Sequence, residues 1–138
     1  MKYDLNRFLK MQERDYAQAL SEIHCGRKLS HWIWYIFPQL KGLGYSYNSQ
    51  YYGLDGMGEA QAYMDNRILA DHLIEISEAL LSLPGNDPTA VMGYPDDLKL
   101  KSSMTLFAEA VPEFPVFQEV LDRYFQGEKD SATLKLLK

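Results

Sequence analysis

The stretch RKLSHWIWYIFPQLKGLGYS, residues 27–46, decides the fold of this chain. It holds both tryptophans of the protein, one of its three histidines, a proline and two glycines. Residues 31–37 are apolar nearly all round, which predicts a short central helix enclosed by the other elements. Ser30 is the expected N-cap of this helix. Pro38 should end it, because proline disfavours a helical conformation in the preceding residue.

Helical periodicity continues toward the N-terminus and resumes after the glycine-rich part of the chain. Asp4 is expected to cap a first helix. The pattern restarts near Asp15 and ends at Gly26, which is well placed as a C-terminal cap. Beyond Glu59 the apolar residues again recur at helical spacing. The clearest stripe comprises Leu69, Leu73, Ile76 and Leu80.

The C-terminal half predicts four further helices. Thr89 is expected to cap a single turn, after a turn rich in proline and glycine. Asp96 or Asp97 should start a longer helix with Leu100, Met104, Phe107 and Val111 on one face. Asp130 is expected to cap a short terminal helix. A further helix is predicted between these two helices, from an apolar stripe of Phe117, Val120, Leu121, Tyr124 and Phe125.

These patterns together predict the fold class. A chain of 138 residues, 46% hydrophobic and 24% charged, has the length and composition of one globular domain. No strand pattern competes with the helical ones. We therefore expect a single all-α domain over residues 1–138. It should contain about seven to nine mostly short helices around a partly buried central helix, against an average helix of ~11–12 residues.

Residues 39–58 interrupt the helical pattern. They contain five glycines and four tyrosines and predict a long irregular segment, with a short hairpin around Tyr51 and Tyr52 as an open alternative. Loops of this length are usually functional or disordered. Aromatic residues argue against disorder. The segment is expected to be packed, and it could act as a lid over a ligand.

Charge, cysteine content and hydropathy restrict the class of protein. The net charge of −5 disfavours a broad nucleic-acid-binding surface. Cys25 is the only cysteine, so no internal disulfide can form, and a reducing, cytoplasmic location is expected. No signal peptide or membrane span is recognised in the sequence. The histidines lack metal-site spacing, so neither a metal nor another cofactor is predicted.

Three sequence blocks resemble an uncharacterised bacterial family, catalogued as a domain of unknown function and often labelled "calpastatin". The blocks are GRKLSHWIWYIFPQLKGLGYS (26–46), EAQAYM (59–64) and DDLKLKSSMTLF (96–107), with a closing Gly-x-x-Asp-x-x-Thr-Leu pattern at 127–134. The resemblance implies a multihelical fold with a partly enclosed central helix and no established activity. The label does not fit, because calpastatin inhibitors are disordered and proline-rich. Relatives usually read His-Pro where this chain has Asn66-Arg67.

A candidate anion site opens the central stretch. Backbone amides and the cations of Arg27 and Lys28, together with Ser30, could hold a phosphate or a carboxylate. A solvated basic turn is the competing interpretation. Gln39 and Ser46, at the other end of the stretch, are added as ligand-binding candidates.

The candidate ring-binding and catalytic residues lie on two helices. Trp32 and Trp34 are two positions apart and cannot share a helix face, so Trp32 is assigned to the core and Trp34 to a pocket beside His31. On the helix that starts near Asp97, Lys99 and Ser103 complete the ligand-binding set. His31 or Asp97 would be the acid or base of a hydrolytic or glycosidic reaction, if the protein is an enzyme.

Two function hypotheses remain open on the sequence. In the first, the segment 27–46 meets the helix 97–103 and binds a small anionic, ring-containing metabolite such as a nucleotide or an ADP-ribose-like molecule. In the second, the protein is a non-enzymatic interaction module that contacts a partner protein or a second copy of itself through a tyrosine-rich surface. The residues of that surface would be Tyr45, Tyr47, Tyr51 and Tyr52.

Overall fold

The computed structural model describes residues 3–138, and this part of the chain contains nine helices and no strand. The prediction of one compact all-α domain is confirmed. The helices are α1 (Asn6–His24), α2 (Ile33–Ile36), α3 (Tyr47–Tyr51), α4 (Gly56–Asp65), α5 (Arg67–Ser82), α6 (Pro88–Met92), α7 (Asp96–Ala110), α8 (Val116–Phe125) and α9 (Ser131–Leu137).

The N-terminal helix is continuous, so the expected restart near Asp15 is wrong. Residues 10–14 are mostly good helix formers, and they carry α1 through without a break. Asp4 Oδ1 accepts a hydrogen bond of 3.1 Å from the Asn6 amide at the start of the helix. Gly26 ends it with a φ of +84°, a left-handed conformation that favours glycine, as predicted.

The central helix is enclosed as predicted but is shorter than expected. It comprises only four residues, and Trp32 and Phe37 on either side of it are 1% and 0% exposed. It packs against α1 and α7. The assignment of Ser30 as its N-cap is wrong, because the residue at that position is Trp32. The Ser30 hydroxyl instead donates to the Glu22 carboxylate of α1 at 2.6 Å.

The long helices α1, α5, α7 and α8 form the main body of the domain. The predicted stripe on α5 is buried, with Leu69 and Leu80 both at 0% exposure, and it faces α1 and α8. Helix α7 lies between α4, α6, α8 and α9, which explains why it is buried on most sides. Asp87, not Thr89, caps α6: its carboxylate accepts from the amides of Thr89 and Ala90. Asp130 caps α9 as predicted.

Residues 39–58 are irregular in part, as predicted, but α3 and the first residues of α4 lie within them. Ser46 caps α3, and an isolated parallel bridge joins Leu40 to Leu54. Among the described residues no hairpin forms around Tyr51. Arg7 of α1 holds the segment in place, since its guanidinium donates to the carbonyls of Tyr51 and Gly53. No residue of this segment lines the depressions described below.

Candidate functional site

Four of the ten candidate site residues line two depressions of the surface: Arg27 and Lys28 line one, and Ser30 and His31 line the other. The arginine depression is lined by Arg27, Lys28, Thr89, Ala90, Val91 and Gly93 and has a volume of about 340 Å³. The histidine cleft is lined by Arg14, Asp15, Gln18, Ser30, His31, Trp32 and Tyr35 and has a volume of about 200 Å³.

The arginine depression forms where the turn after α1 meets α6. The Lys28 amide donates to the Val91 carbonyl at 2.7 Å, which joins the two segments. Within residues 3–138 the exposed Arg27 side chain has no hydrogen bond or ion pair, so its whole guanidinium fork is accessible. Gly93, with a φ of +79°, ends α6 at the opposite wall.

The two lysines near this depression are held by indole rings and one carboxylate. The Lys28 ammonium lies 4.9 Å from the Trp32 ring, and the Lys99 ammonium lies 4.9 Å from the Trp34 ring. Asp96 lies between them, at 2.6 Å from Lys28 Nζ and 3.7 Å from Lys99 Nζ. We call these five residues the lysine–indole cluster. It brings the segment 27–46 against α7, which is the meeting predicted from the sequence.

Asp97 lies beside the arginine depression with both carboxylate oxygens engaged. Oδ2 accepts from the Thr89 hydroxyl at 2.6 Å, and Oδ1 accepts from the Leu98 amide at 2.9 Å. Asp97 is 7% exposed. The Asp97 carboxylate therefore connects α6 to the first turn of α7.

The remaining ligand-binding candidates lie outside both depressions. The Gln39 carbonyl accepts from the Leu54 amide at 2.9 Å, and Ser46 Oγ accepts from the Ser49 amide at 3.1 Å. Ser103 is 0% exposed. Its hydroxyl and the indole Nε1 of the half-buried Trp34 are buried without a hydrogen-bond partner among the described residues.

The histidine cleft is built over the buried carboxylate of Glu22. Its Oε1 accepts from the Leu29 amide, the Ser30 amide and Trp32 Nε1 at 2.8, 3.0 and 2.9 Å. Burial favours the neutral acid, but these hydrogen bonds and that of the Ser30 hydroxyl outweigh it and lower the pKa of Glu22 from 4.5 to about 2. The carboxylate therefore holds residues 29–32 in one conformation at neutral pH.

The rim of the cleft carries an Asp–Tyr pair and a histidine. The Tyr35 hydroxyl donates to Asp15 in a short hydrogen bond. Burial and this contact raise the pKa of Tyr35 to about 12, so the phenol keeps its proton. Arg14 contacts both oxygens of Asp15 at 2.9 Å and lowers the pKa of that carboxyl. The His31 side chain is exposed and, within residues 3–138, has no hydrogen bond.

Comparison with known proteins agrees with the predicted resemblance. A family model described as "Protein of unknown function (DUF1810)" matches residues 2–137. The chain belongs to the DUF1810 family. It is 40% identical to the conserved hypothetical protein Rv1873 from Mycobacterium tuberculosis, whose crystal structure matches with a TM-score of 0.97. The match covers 99% of this chain and 98% of that one. No curated protein matches the chain.

Several residues of the DUF1810 chain that shape these depressions were not singled out from the sequence. Four of them lie on α1, and in the sequence they resemble an ordinary solvated helix face. These are Arg14, Asp15, Gln18 and Glu22. Their spacing was one signal in the sequence, because Gln18 and Glu22 are one helical turn apart and both come before Ser30. In the structure these two side chains hold the segment around Ser30. Trp34 was assigned to the pocket beside His31, but it contacts Lys99, and Trp32 and Tyr35 line the cleft instead.

Over residues 3–138 no group of three or more His, Cys, Asp or Glu side chains could hold a metal ion. In the same part of the chain no helix combines the length and the apolar character that crossing a bilayer requires.

Proposed function

We propose that this protein binds a small anionic, ring-containing ligand in the arginine depression. The observation that carries the proposal is the accessible Arg27 guanidinium beside a depression of about 340 Å³. An arginine fork suits phosphate and carboxylate groups, which it can contact through two hydrogen bonds at once. The volume lies within the ~300–1,000 Å³ that is usual for small-ligand sites.

The free cation at the depression supports an anion, although the whole chain carries a net charge of −5. Arg27, Lys28 and Lys99 contribute three positive charges, which the carboxylates of Asp87, Asp96 and Asp97 balance. Of these six groups, Arg27 alone has no hydrogen bond or ion pair within residues 3–138, so its charge remains available to a ligand. Lys28, 5% exposed in its side chain, contributes to the field without direct contact.

An exposed aromatic ring beside the depression supports the ring-containing part of the ligand. Tyr94 follows Gly93 directly and is 76% exposed. A nucleobase stacked on an aromatic side chain gains ~1–3 kcal/mol. A nucleotide or an ADP-ribose-like molecule combines the anionic group and the ring. Binding is favoured over catalysis, because Asp97 has both oxygens engaged and His31 lines the other depression.

The test is a titration of the ¹⁵N-labelled full chain with inorganic phosphate, AMP and ADP-ribose. We expect the amides of Lys28, Val91 and Gly93 to shift, and AMP to bind more tightly than phosphate. Arg27→Ala should weaken AMP binding at least tenfold. Arg67→Ala is the matched control, since Arg67 is 94% exposed and does not line the depression. If no ligand shifts these amides, or if Arg27→Ala binds AMP as wild type does, the proposal is wrong.

A second candidate function, protein–protein interaction, is supported by exposed tyrosines on α3 and the residues before it. Tyr45 is 90%, Tyr47 76% and Tyr51 47% exposed, and the Tyr47 and Tyr51 rings stack 5.6 Å apart. Tyr52, which was expected in the same surface, is 9% exposed and belongs to the core. Exposed tyrosines are typical of interface hot spots.

Sedimentation velocity separates this second candidate from a monomeric binding protein. Self-association through α3 should give a concentration-dependent dimer that Tyr47→Ser abolishes and Tyr94→Ser, an equally exposed tyrosine outside α3, leaves intact. A chain that stays monomeric at high concentration would remove the support for a contact between copies.

A further inference from the structure

The histidine cleft has the features of a second ligand site with different chemistry. We propose that it binds a neutral polyhydroxy compound of the size of one sugar ring. Its lining residues are distinct from those of the arginine depression, so the two proposals stand or fall separately.

The floor of the cleft is rigid before any ligand arrives. Glu22 is 7% exposed and holds the backbone of Leu29 and Ser30 through its carboxylate. Behind Tyr35, the buried Gln12 side chain donates to the Tyr35 carbonyl at 2.8 Å. These hydrogen bonds fix the backbone on either side of His31, which lowers the ordering cost of binding.

The two charged side chains at the rim of the cleft neutralise each other. Among the described residues that line the cleft, Arg14 carries a positive charge and Asp15 a negative one, and Arg14 Nε lies 2.9 Å from Asp15 Oδ1. The five donors around the Glu22 carboxylate disperse the charge beneath them. Asp15 would repel an anionic ligand and Arg14 would repel a cationic one. A neutral ligand therefore binds with the least electrostatic repulsion.

The polar groups that remain available in the cleft are both donors and acceptors. Arg14 uses Nε and Nη2 on Asp15, which leaves Nη1 to donate to a ligand. Gln18 uses its amide nitrogen on Glu22 and Ser30, which leaves its oxygen as an acceptor. The imidazole of His31 offers one of each in its neutral form. A hydroxyl both donates and accepts, so a ligand with several neighbouring hydroxyls matches this mixture.

The volume restricts the ligand to a single ring. At about 200 Å³ the cleft is smaller than the ~300 Å³ at the lower end of drug-sized sites. A monosaccharide or a cyclic polyol is therefore the class that combines neutrality, several hydroxyls and one ring.

The test is a titration of the ¹⁵N-labelled full chain with D-ribose, D-glucose and myo-inositol, and with acetate and ethylammonium chloride as charged probes. We expect at least one neutral probe to shift the amides of Asp15, Ser30, His31 and Tyr35. The charged probes should leave these amides unshifted at the same concentration. If no neutral probe shifts them, or if a charged probe shifts them more, the proposal is overturned.

Variants then test whether the cleft side chains make the contacts. His31→Ala should weaken the neutral ligand at least tenfold, while His24→Ala, an exposed histidine outside the cleft, should not. Asp15→Asn should weaken it similarly, and the exposed His31 keeps the test valid if the Asp15 variant loosens α1. Arg27→Ala should leave this binding unchanged. Unaltered affinity in His31→Ala and Asp15→Asn would refute the assignment.

Discussion

Trp32 Nε1 donates a hydrogen bond of 2.9 Å to Glu22 Oε1, and this contact joins the central helix to α1 inside the protein. The same oxygen accepts from the Leu29 and Ser30 amides. A buried indole and two backbone donors thus satisfy one carboxylate oxygen. The only polar atom of the Trp32 side chain is therefore committed to a structural hydrogen bond, and its ring also contacts the Lys28 ammonium.

Replacement of Glu22 should destabilise the fold strongly. In Glu22→Gln, the amide nitrogen would face donors that now point at a carboxylate, and we expect a loss of about 3 kcal/mol in the free energy of unfolding. Urea denaturation measures the loss. Glu78→Gln, on the exposed face of α5, is the control and should change stability by less than about 0.5 kcal/mol. Equal stability of the two variants would contradict this role of Glu22.

The stability of the wild-type protein should fall in acid because of the same carboxylate. The pKa of Glu22 is lowered from 4.5 to about 2 in the folded state, so the folded protein holds fewer protons than the unfolded one between these values. The stabilisation, about 3 kcal/mol at neutral pH, is present above pH ~4.5 and lost as the pH falls toward 2. The difference between wild type and Glu22→Gln should therefore shrink over this range, and a constant difference would refute the assignment.

Arg7→Ala should also destabilise the fold. Arg7 and Glu59 form an ion pair of 3.0 Å with side chains only 12% and 4% exposed, and Arg7 also holds the segment 51–53. Removing one partner of a buried pair costs about 3–5 kcal/mol. Arg67→Ala, whose ion pair is exposed and 3.9 Å long, should cost no more than about 0.5 kcal/mol in the same denaturation experiment.

Replacement by alanine should affect the stability of the protein differently at two adjacent serines of α7. Ser102 donates to the Leu98 carbonyl and contacts Asp130, so Ser102→Ala should cost about 1 kcal/mol. Ser103 Oγ is buried with no partner among the described residues, so Ser103→Ala should be neutral or stabilise by up to about 1 kcal/mol. Thermal unfolding of both variants tests the contrast, and a larger loss for Ser103→Ala would show that its hydroxyl has a partner.

Gly53 should not tolerate a side chain. A Cβ at this position would lie 2.6 Å from the Lys41 Cα, a backbone atom that cannot move aside easily. We expect Gly53→Ala to lose about 1–3 kcal/mol, as in other overpacked sites. Gly85→Ala is the matched control because nothing lies within 4 Å of its Cβ position. It should be neutral or gain about 0.4–1 kcal/mol.

The predictions that succeeded depended on local chemistry. The stripe of Leu69, Leu73, Ile76 and Leu80 is buried because helical spacing alone places these residues on one face. Asp130 caps α9 through the Thr133 amide three residues away. The cap of α6 was missed although Asp87 before Pro88 was a local signal, since proline is common at the first helical position.

Other predictions failed because distant groups competed with local ones. Serine is a common N-cap residue, but the Ser30 hydroxyl donates its hydrogen bond to the Glu22 carboxylate. The glycine- and tyrosine-rich segment is ordered partly because Arg7, more than forty residues earlier, donates to its carbonyls. Neither contact follows from residue type and spacing, because a carboxylate or guanidinium on α1 reads as part of a solvated face.

The amino-acid sequence alone determined the helical class, the burial of Trp32 and some helix ends, such as those at Gly26 and Asp130, since periodicity and capping act over a few neighbouring residues. Tertiary structure decided which polar groups meet. It separated His31 from Arg27 and Lys28, and it directed Lys99 onto Trp34. The reason is physical: a buried charge takes the hydrogen-bond partners that the packing of helices brings within reach, and that packing depends on the whole chain at once.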